Sequence, residues 1–170
     1  MTLALMAFAL AACSTVSAPS APTASAPAYP LPVLTGRVVD NADLLTPAQE
    51  AKLVEALAET ERATRHQFVV VTLPTLAGRS IEQVGLELGN GWGIGRKGYN
   101  DGVLLIVAPR ERKVRIEVGC GLEIALTNQE AQEIIDRDML PRFRKGAMAA
   151  GIFRGSASII REIDGPGATQ

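Results

Sequence analysis

The chain has 170 residues, the length of a single domain of ~100–200 residues. It carries 17 basic and 18 acidic residues, a net charge of −1, with no long run of either sign and only 4% aromatic residues. That balance excludes a nucleic-acid footprint, which needs a basic face, and a base-stacking surface, which needs aromatic platforms.

The first 36 residues contain no Asp, Glu, Lys or Arg, so every formal charge lies from Arg37 onward. Within them, Leu3 to Ala12 is an unbroken apolar run. It is about half the ~20 residues that a membrane-spanning helix needs and has the length of a signal-peptide core. The run ends in Leu10-Ala11-Ala12-Cys13, which resembles the lipobox of bacterial lipoproteins. Small residues suit the peptidase cleft, and the thiol accepts the lipid. The expectation is a lipoprotein signal peptide over residues 1–12 and lipidation of Cys13, acyl chains such as palmitate being the membrane anchor. Met1-Thr2 lacks a basic leader, which points to a start further upstream. Ser14 follows the cysteine where an Asp would favour the inner membrane, so the expected location is the outer membrane, facing the periplasm, if the cell is Gram-negative. Residues 13–35 then read as a Ser/Ala/Pro-rich tether that builds no core. With Cys13 lipidated, Cys120 is an unpaired thiol, and the inventory permits neither a disulfide framework nor a zinc cluster.

Elements follow in order over residues 36–164. Arg37-Val38-Val39 is a short strand candidate. Thr46, with Pro47 and Gln49, signals a capping box and a helix to about Arg65, with Leu53, Val54 and Leu57 as its apolar stripe. Gln67 to Leu73 contains a continuous β-branched run, Val69 to Thr72, and reads as a strand covered on both faces. Ser80 caps a second helix. A glycine-rich stretch, 89–102, leads into a second fully apolar strand, Val103 to Val107. Pro109-Arg110-Glu111 turns the chain into a strand that alternates, with Val114, Ile116 and Val118 on one face. Thr127 and Glu130 cap a third helix. Pro141 is expected to open the last helical stretch, to about Ile163, with glycines 146, 151 and 155 permitting close packing. Residues 165–170 read as a flexible tail. The alternation of helices and strands predicts an α/β fold, a three-layer helix–sheet–helix sandwich whose mixed sheet contains one antiparallel hairpin.

Several patterns bear on chemistry. Gly93-Ile94-Gly95-Arg96-Lys97-Gly98 matches G-x-G-x-x-G but follows a helix and precedes a strand, the reverse of a dinucleotide fingerprint. It reads as a flexible connection whose glycines take positive φ, with Arg96 and Lys97 as candidate anion-binding residues. Asp101 precedes the first hairpin strand and Glu123 follows the second, so both fall at one end of the sheet, with Asn100 beside them. Asp40 joins them if the first strand points that way. Two readings are open: oxygen ligands for a hard cation such as Ca²⁺ or Mg²⁺, or ordinary turn chemistry. His66, the only histidine, reads as a surface or loop residue, and Trp92 as packing on the glycine loop. No G-x-S-x-G or Walker motif occurs, and no catalytic residue stands out.

The motifs in order are Val39-Asp40-Asn41-Ala42-Asp43-Leu44-Leu45, Phe68–Val71, Trp92-Gly93-Ile94-Gly95, Asn100-Asp101-Gly102 into Val103-Leu104-Leu105-Ile106, Gly119-Cys120-Gly121-Leu122-Glu123, and Leu140-Pro141-Arg142-Phe143-Arg144-Lys145-Gly146. Together, from about Val38 to Ile163, they resemble the TPM domain family of thylakoid-lumen photosystem II repair proteins and bacterial membrane-anchored relatives. The resemblance implies an α/β sandwich displayed on the non-cytoplasmic side of a membrane. It implies divalent-cation binding in some members and phosphatase activity in a plant member, with Asp40, Asp101 and Glu123 as the acidic positions carried over. Two departures stand out: many members have an aromatic residue where Cys120 stands, and many anchor through a C-terminal transmembrane helix where the lipid would serve here. The expected function is a lipid-anchored, non-catalytic module that binds a protein partner in the envelope or a divalent cation and assists maintenance of membrane complexes. The alternative is a metal-assisted phosphatase acting on phosphomonoesters, with Arg96 or Lys97 receiving phosphate oxygens.

Overall fold

A computed structural model describes residues 30–165. The expected signal peptide, the lipidation site Cys13, most of the tether and the tail from residue 166 lie outside the described residues. The elements run β1 (Val38–Asp40), α1 (Pro47–Thr64), β2 (Gln67–Thr72), α2 (Ile81–Trp92), β3 (Gly102–Ala108) and β4 (Lys113–Val118). A one-turn 3₁₀ helix (Cys120–Leu122) and α3 (Asn128–Ile134) follow, then a π-helical turn (Ile135–Met139), α4 (Leu140–Phe143) and α5 (Met148–Ile163).

Local chemistry fixes the helix starts. Thr46, Ser80 and Thr127 each accept the backbone N–H three residues on, while Gln49, Gln83 and Glu130 reach back to the cap backbone. Such reciprocal caps satisfy two donors that the first turn leaves orphaned, and each cap residue contributes about 1 kcal/mol.

The helical stretch around Pro141 departs from expectation. Pro141 does not open the last helix; it sits inside a helical run that begins at Asn128 and passes through the π-turn. A proline inside a helix has no N–H to donate, and its ring clashes with the carbonyl four residues back. The wider π-turn, in which Leu140 N–H bonds the Ile135 carbonyl, lies just before it. That run ends at Gly146, whose φ of +76° allows Gly146 N–H to reach the Phe143 carbonyl and Ala147 N–H the Arg142 carbonyl. This crossed pair is the Schellman arrangement that glycine favours.

The sheet order is β1-β2-β3-β4, with β1, β2 and β3 parallel and β4 antiparallel to β3. Strand residues alternate between two cores. Val38, Phe68, Val70, Val103, Leu105, Val107 and Ile116 face α1, α3 and α5. Val39, Val69, Val71, Leu104, Ile106 and Ala108 face α2, through Ile81, Val84 and Leu88. The continuous apolar strands are therefore covered on both faces. Because α1 and α2 cover opposite faces of strands laid down in one direction, the β1–β2 and β2–β3 crossovers have opposite hands. One of them belongs to the rare left-handed kind.

The last part of the tether is not free of the domain. Leu31 and Leu34 pack against the α2-side core, and the Trp92 indole N–H donates to the Pro32 carbonyl at 3.1 Å. Trp92 thus anchors the incoming chain.

On α5, a Cβ added at Gly151 would enter the Phe143 ring, while none of the described atoms lies within 4 Å of one added at Gly91 in α2. Gly→Ala in a helix is ordinarily stabilising by ~0.4–1 kcal/mol. In urea denaturation Gly91→Ala is expected to follow that rule, whereas Gly151→Ala is expected to lose ~1–3 kcal/mol through overpacking.

Candidate functional site

The N-terminal ends of β2 and β3 gather the most tightly held polar group on this edge. Gln67 pairs with Gly102 in the parallel register, so the residues just before them, His66 and Asp101, lie side by side. The Asp101 side chain is 3% exposed. One of its oxygens accepts the Arg96 backbone N–H at 2.7 Å; the other accepts Arg96 Nε at 2.6 Å and faces His66 Nδ1 at 3.2 Å. Burial works to raise its pKa, but the hydrogen bonds from the Arg96 side chain and backbone and from His66 outweigh it and hold the carboxyl below its ordinary range. His66 is itself buried rather than on the surface, 4% exposed, which corrects the sequence expectation. Its partner was invisible in the sequence because 35 residues separate the two.

Glycines make this geometry possible. Gly93, Gly95 and Gly98 all have positive φ, as the flexible-connection reading expects. An added Cβ at Gly95 would sit 2.7 Å from the Gly102 nitrogen, and at Gly119 or Gly121 it would run into the carbonyls of Asn100 or Tyr99. Backbone therefore lies directly on backbone. Gly119 N–H donates to the Gly102 carbonyl at 2.8 Å and Gly121 N–H to the Asn100 carbonyl at 3.1 Å. The Gln67 side chain, which sequence reasoning passed over, accepts Gly95 N–H at 2.9 Å and ties the loop to β2.

The four candidate ion ligands are not brought together. Asp40 ends β1 level with Thr72 and Val107, whereas Asp101 precedes β3. Because β1 runs parallel to β3, Asp40 sits at the opposite edge, some six strand residues or roughly 20 Å away. Its carboxylate serves a loop: it accepts Leu44 N–H at 3.1 Å, Leu45 N–H at 2.8 Å and the Thr72 hydroxyl. Asp101 is saturated by Arg96 and His66. Only Asn100 and Glu123 remain open, and both line one cleft of ≈ 400 Å³ between α2 and the ends of β3 and β4. Among the described residues no three His, Cys, Asp or Glu side chains form a group that could hold an ion. The expected four-residue cation set therefore does not fit one.

The anion candidates also divide. The Arg96 guanidinium is bound to Asp101 and lies 4.2 Å from the Tyr99 ring centre, so it is held by two neighbours, while Lys97 is exposed. The cleft itself has an apolar side, Leu86 and Ile94, and a polar rim of Asn90, Asn100, Glu117 and Glu123, with the exposed thiol of Cys120. Glu117 is paired with Arg115. Gly85 lets α2 come this close to β4, since its missing Cβ would sit 2.9 Å from Glu117 Oε2.

A second buried carboxylate, Asp138 in the π-turn, also escaped the sequence reading. It accepts from Arg137 at 2.9 Å, Ser158 at 2.7 Å and Arg154 at 3.4 Å. Burial opposes ionisation, yet the bonds from Arg137 and Ser158 keep its pKa lowered. Its role is to pin the π-turn to α5.

Comparison with known proteins agrees with this architecture. The family model described as the TPM domain matches residues 38–162. The chain is similar to the N-terminal domain of a protein from P. gingivalis, at 35% identity, covering 78% of this chain and 85% of that one with a TM-score of 0.73. It is similar in fold to the N-terminal domain of the cg2496 protein from Corynebacterium glutamicum, at 14% identity, with 81% and 86% covered and a TM-score of 0.59. It also resembles in fold the BA42 protein of the psychrophilic bacterium Bizionia argentinensis, at 17% identity, with 70% and 81% covered and a TM-score of 0.60. No curated protein matches the chain.

Asp101 generates a pH prediction. Its folded pKa is lowered, so its stabilisation is present above the unfolded value of ~3.9 and is lost as pH falls through the folded value. Below about pH 4 the melting temperature of the wild type should fall more steeply than that of Asp101→Asn. At pH 7 Asp101→Asn should cost ~3 kcal/mol, the low end for breaking a buried pair, because the Arg96 side chain is 36% exposed. Parallel acid limbs for the two proteins would refute this account.

Proposed function

The chain belongs to the TPM domain family, and from that footing we propose that it is a non-catalytic, membrane-tethered binding module of the cell envelope whose cleft beside Asn100 and Glu123 docks a protein partner. One observation carries the reading. Among the described residues four large apolar side chains are exposed, namely Val33, Leu86, Tyr99 and Ile124. Leu86 lines the cleft, and Tyr99 and Ile124 are the chain neighbours of its liners Asn100 and Glu123. Exposed apolar groups rimmed by polar residues are the mark of a protein-docking surface. The site's ionised carboxylate, Asp101, is sealed beneath, where it braces the surface and has no access to substrate.

A cation at this cleft would have Asn100 and Glu123 as its open protein oxygens. Ca²⁺ takes 6–8 oxygens, so partner groups or water would complete the shell. The phosphatase alternative requires Asp40, Asp101 and Glu123 to share one ion and Arg96 or Lys97 to receive phosphate. With Asp40 at the far edge and Arg96 engaged by Asp101, no observation favours it. The tether from Cys13 would keep the module at the outer membrane, and its last residues, docked through Trp92, would fix how the domain leaves the surface.

The reading is tested in native membranes with a photocrosslinking residue placed at Ile124 or, as a control, at Lys52 on α1. A discrete adduct from Ile124 alone, lost in Leu86→Asp, is expected; equal labelling from both positions, or labelling indifferent to Leu86→Asp, overturns it. Separately, Cys13→Ala should move the domain to the soluble fraction, and retention in membranes after a carbonate wash would refute the lipid anchor.

A further inference from the structure

The motif Leu140-Pro141-Arg142-Phe143-Arg144-Lys145-Gly146 takes no part in the cleft described above. It forms one wall of a second and larger cavity, ≈ 660 Å³, at the opposite edge of the sheet. The other wall is the β3–β4 hairpin: Val107, Ala108 and Pro109 before the turn, Arg112 and Lys113 after it. The floor is apolar, with Leu140, Phe143 and Met148 against Val107 and Pro109. The charged lining is entirely cationic: Arg112, Lys113 and Arg144. Among the described residues none of the three makes an ion pair or a side-chain hydrogen bond, although Lys113 is within electrostatic reach of Glu82 on α2. Glu111, the nearest acid in the hairpin, is turned away and bonded to the Thr75 hydroxyl and Leu76 N–H.

We propose that this cavity binds a single-chain amphiphile with an anionic headgroup, its acyl chain on the Leu140–Phe143–Met148 floor and its headgroup between Arg112 and Arg144. Size and polarity fit, since cavities of ~300–1,000 Å³ with apolar walls and a few converging polar groups hold small ligands. The backbone decides against an extended peptide. A bound peptide brings N–H and C=O groups that need partners, and five of the lining carbonyls are already engaged. Val107 accepts from Leu73, Pro109 from Arg112, Leu140 from Arg144, Phe143 from Gly146, and Gly146 from Met148. An acyl chain makes no such demand. A bilayer surface fits less well because the site is concave. The motif's own chemistry builds the site: Pro141 follows the π-turn, Gly146 stops the helix, and the segment between them presents Phe143 inward and Arg144 outward.

The test is titration of the full chain with dodecanoate, kept monomeric, read by the methyl resonance of Met148, with buried Met139 as an internal control. Saturable shifts of Met148 are expected, with affinity falling about tenfold in the double variant Arg112→Gln/Arg144→Gln, as the loss of two exposed charge pairs implies. Acetate, with the charge and no chain, should leave Met148 unmoved, and dodecanol, with the chain and no charge, should bind like the double variant. The proposal is overturned if dodecanoate leaves Met148 unmoved while Met139 shows a folded protein. It is equally overturned if dodecanol binds wild type as tightly as dodecanoate, if an acidic peptide ending in Leu binds more tightly, or if only anionic vesicles move the resonance.

Discussion

A carboxylate removed from water must collect hydrogen-bond donors or lose its charge, and Asp101 meets that demand with donors from two other residues, Arg96 and His66, so that three segments meet. The Arg96 backbone and guanidinium come from the glycine loop, His66 from the start of β2, and Asp101 itself leads β3. Satisfying one side chain thereby sets the path of the loop between α2 and β3. The loop's path then sets where Asn100 and Tyr99 stand, and the clasp from Gly119 and Gly121 brings Cys120 and Glu123 against them. The cleft exists because that carboxylate is neutralised underneath it. The cleft surface is the outer skin of a structural ion pair, which is why Asp101, so near the opening, is not itself available to a ligand while Glu123 is.

The two ends of the sheet divide the chemistry. At the end where β1, β2 and β3 finish, two acids are structural: Asp40 holds Leu44 and Leu45 in the approach to α1, and Glu111 holds the segment after β2. The cavity that opens there is lined by cationic and apolar side chains. At the end where β2 and β3 begin, the arginine is the structural partner, and what remains open is apolar with Asn100 and Glu123. Each edge uses some of its charged groups to build itself and exposes others. A family pattern of acidic positions can therefore reflect folding as readily as ligand binding; Asp40 in the Val39–Leu45 motif is the clearest instance.

Much of the fold was legible in the sequence because it depends on neighbours. Thr46 with Gln49 and Thr127 with Glu130 announce helix starts from a three-residue spacing. Unbroken β-branched runs announce strands covered on both faces. Pro141 misled the reading because proline is compatible with a helix start and with a π-turn, and only the helix before it distinguishes the two. His66 and Asp101 are far apart in sequence and meet through strand register. Their pairing becomes inferable only once β2 and β3 are known to be adjacent and parallel. Leu31 and Leu34 lay in a segment whose composition speaks of a linker, but two leucines beside an open apolar groove at α2 are enough to dock it.

The sequence by itself determined the family, the three-layer sandwich, the hairpin and the glycine loop. The family follows from the ordered motifs that resemble its members, and the other three from local propensity, capping and periodicity, which act over a few residues. Tertiary structure alone decided the direction of β1 relative to β3, and with it that Asp40 is removed from Asp101 and Glu123. It decided that Asp101 faces His66 and Arg96, and that α1 and α2 cover opposite faces through crossovers of opposite hand. The physical reason is the same in each case: which side chains converge is set by the register and direction of strands distant in sequence, and a sum of local preferences carries no information about either.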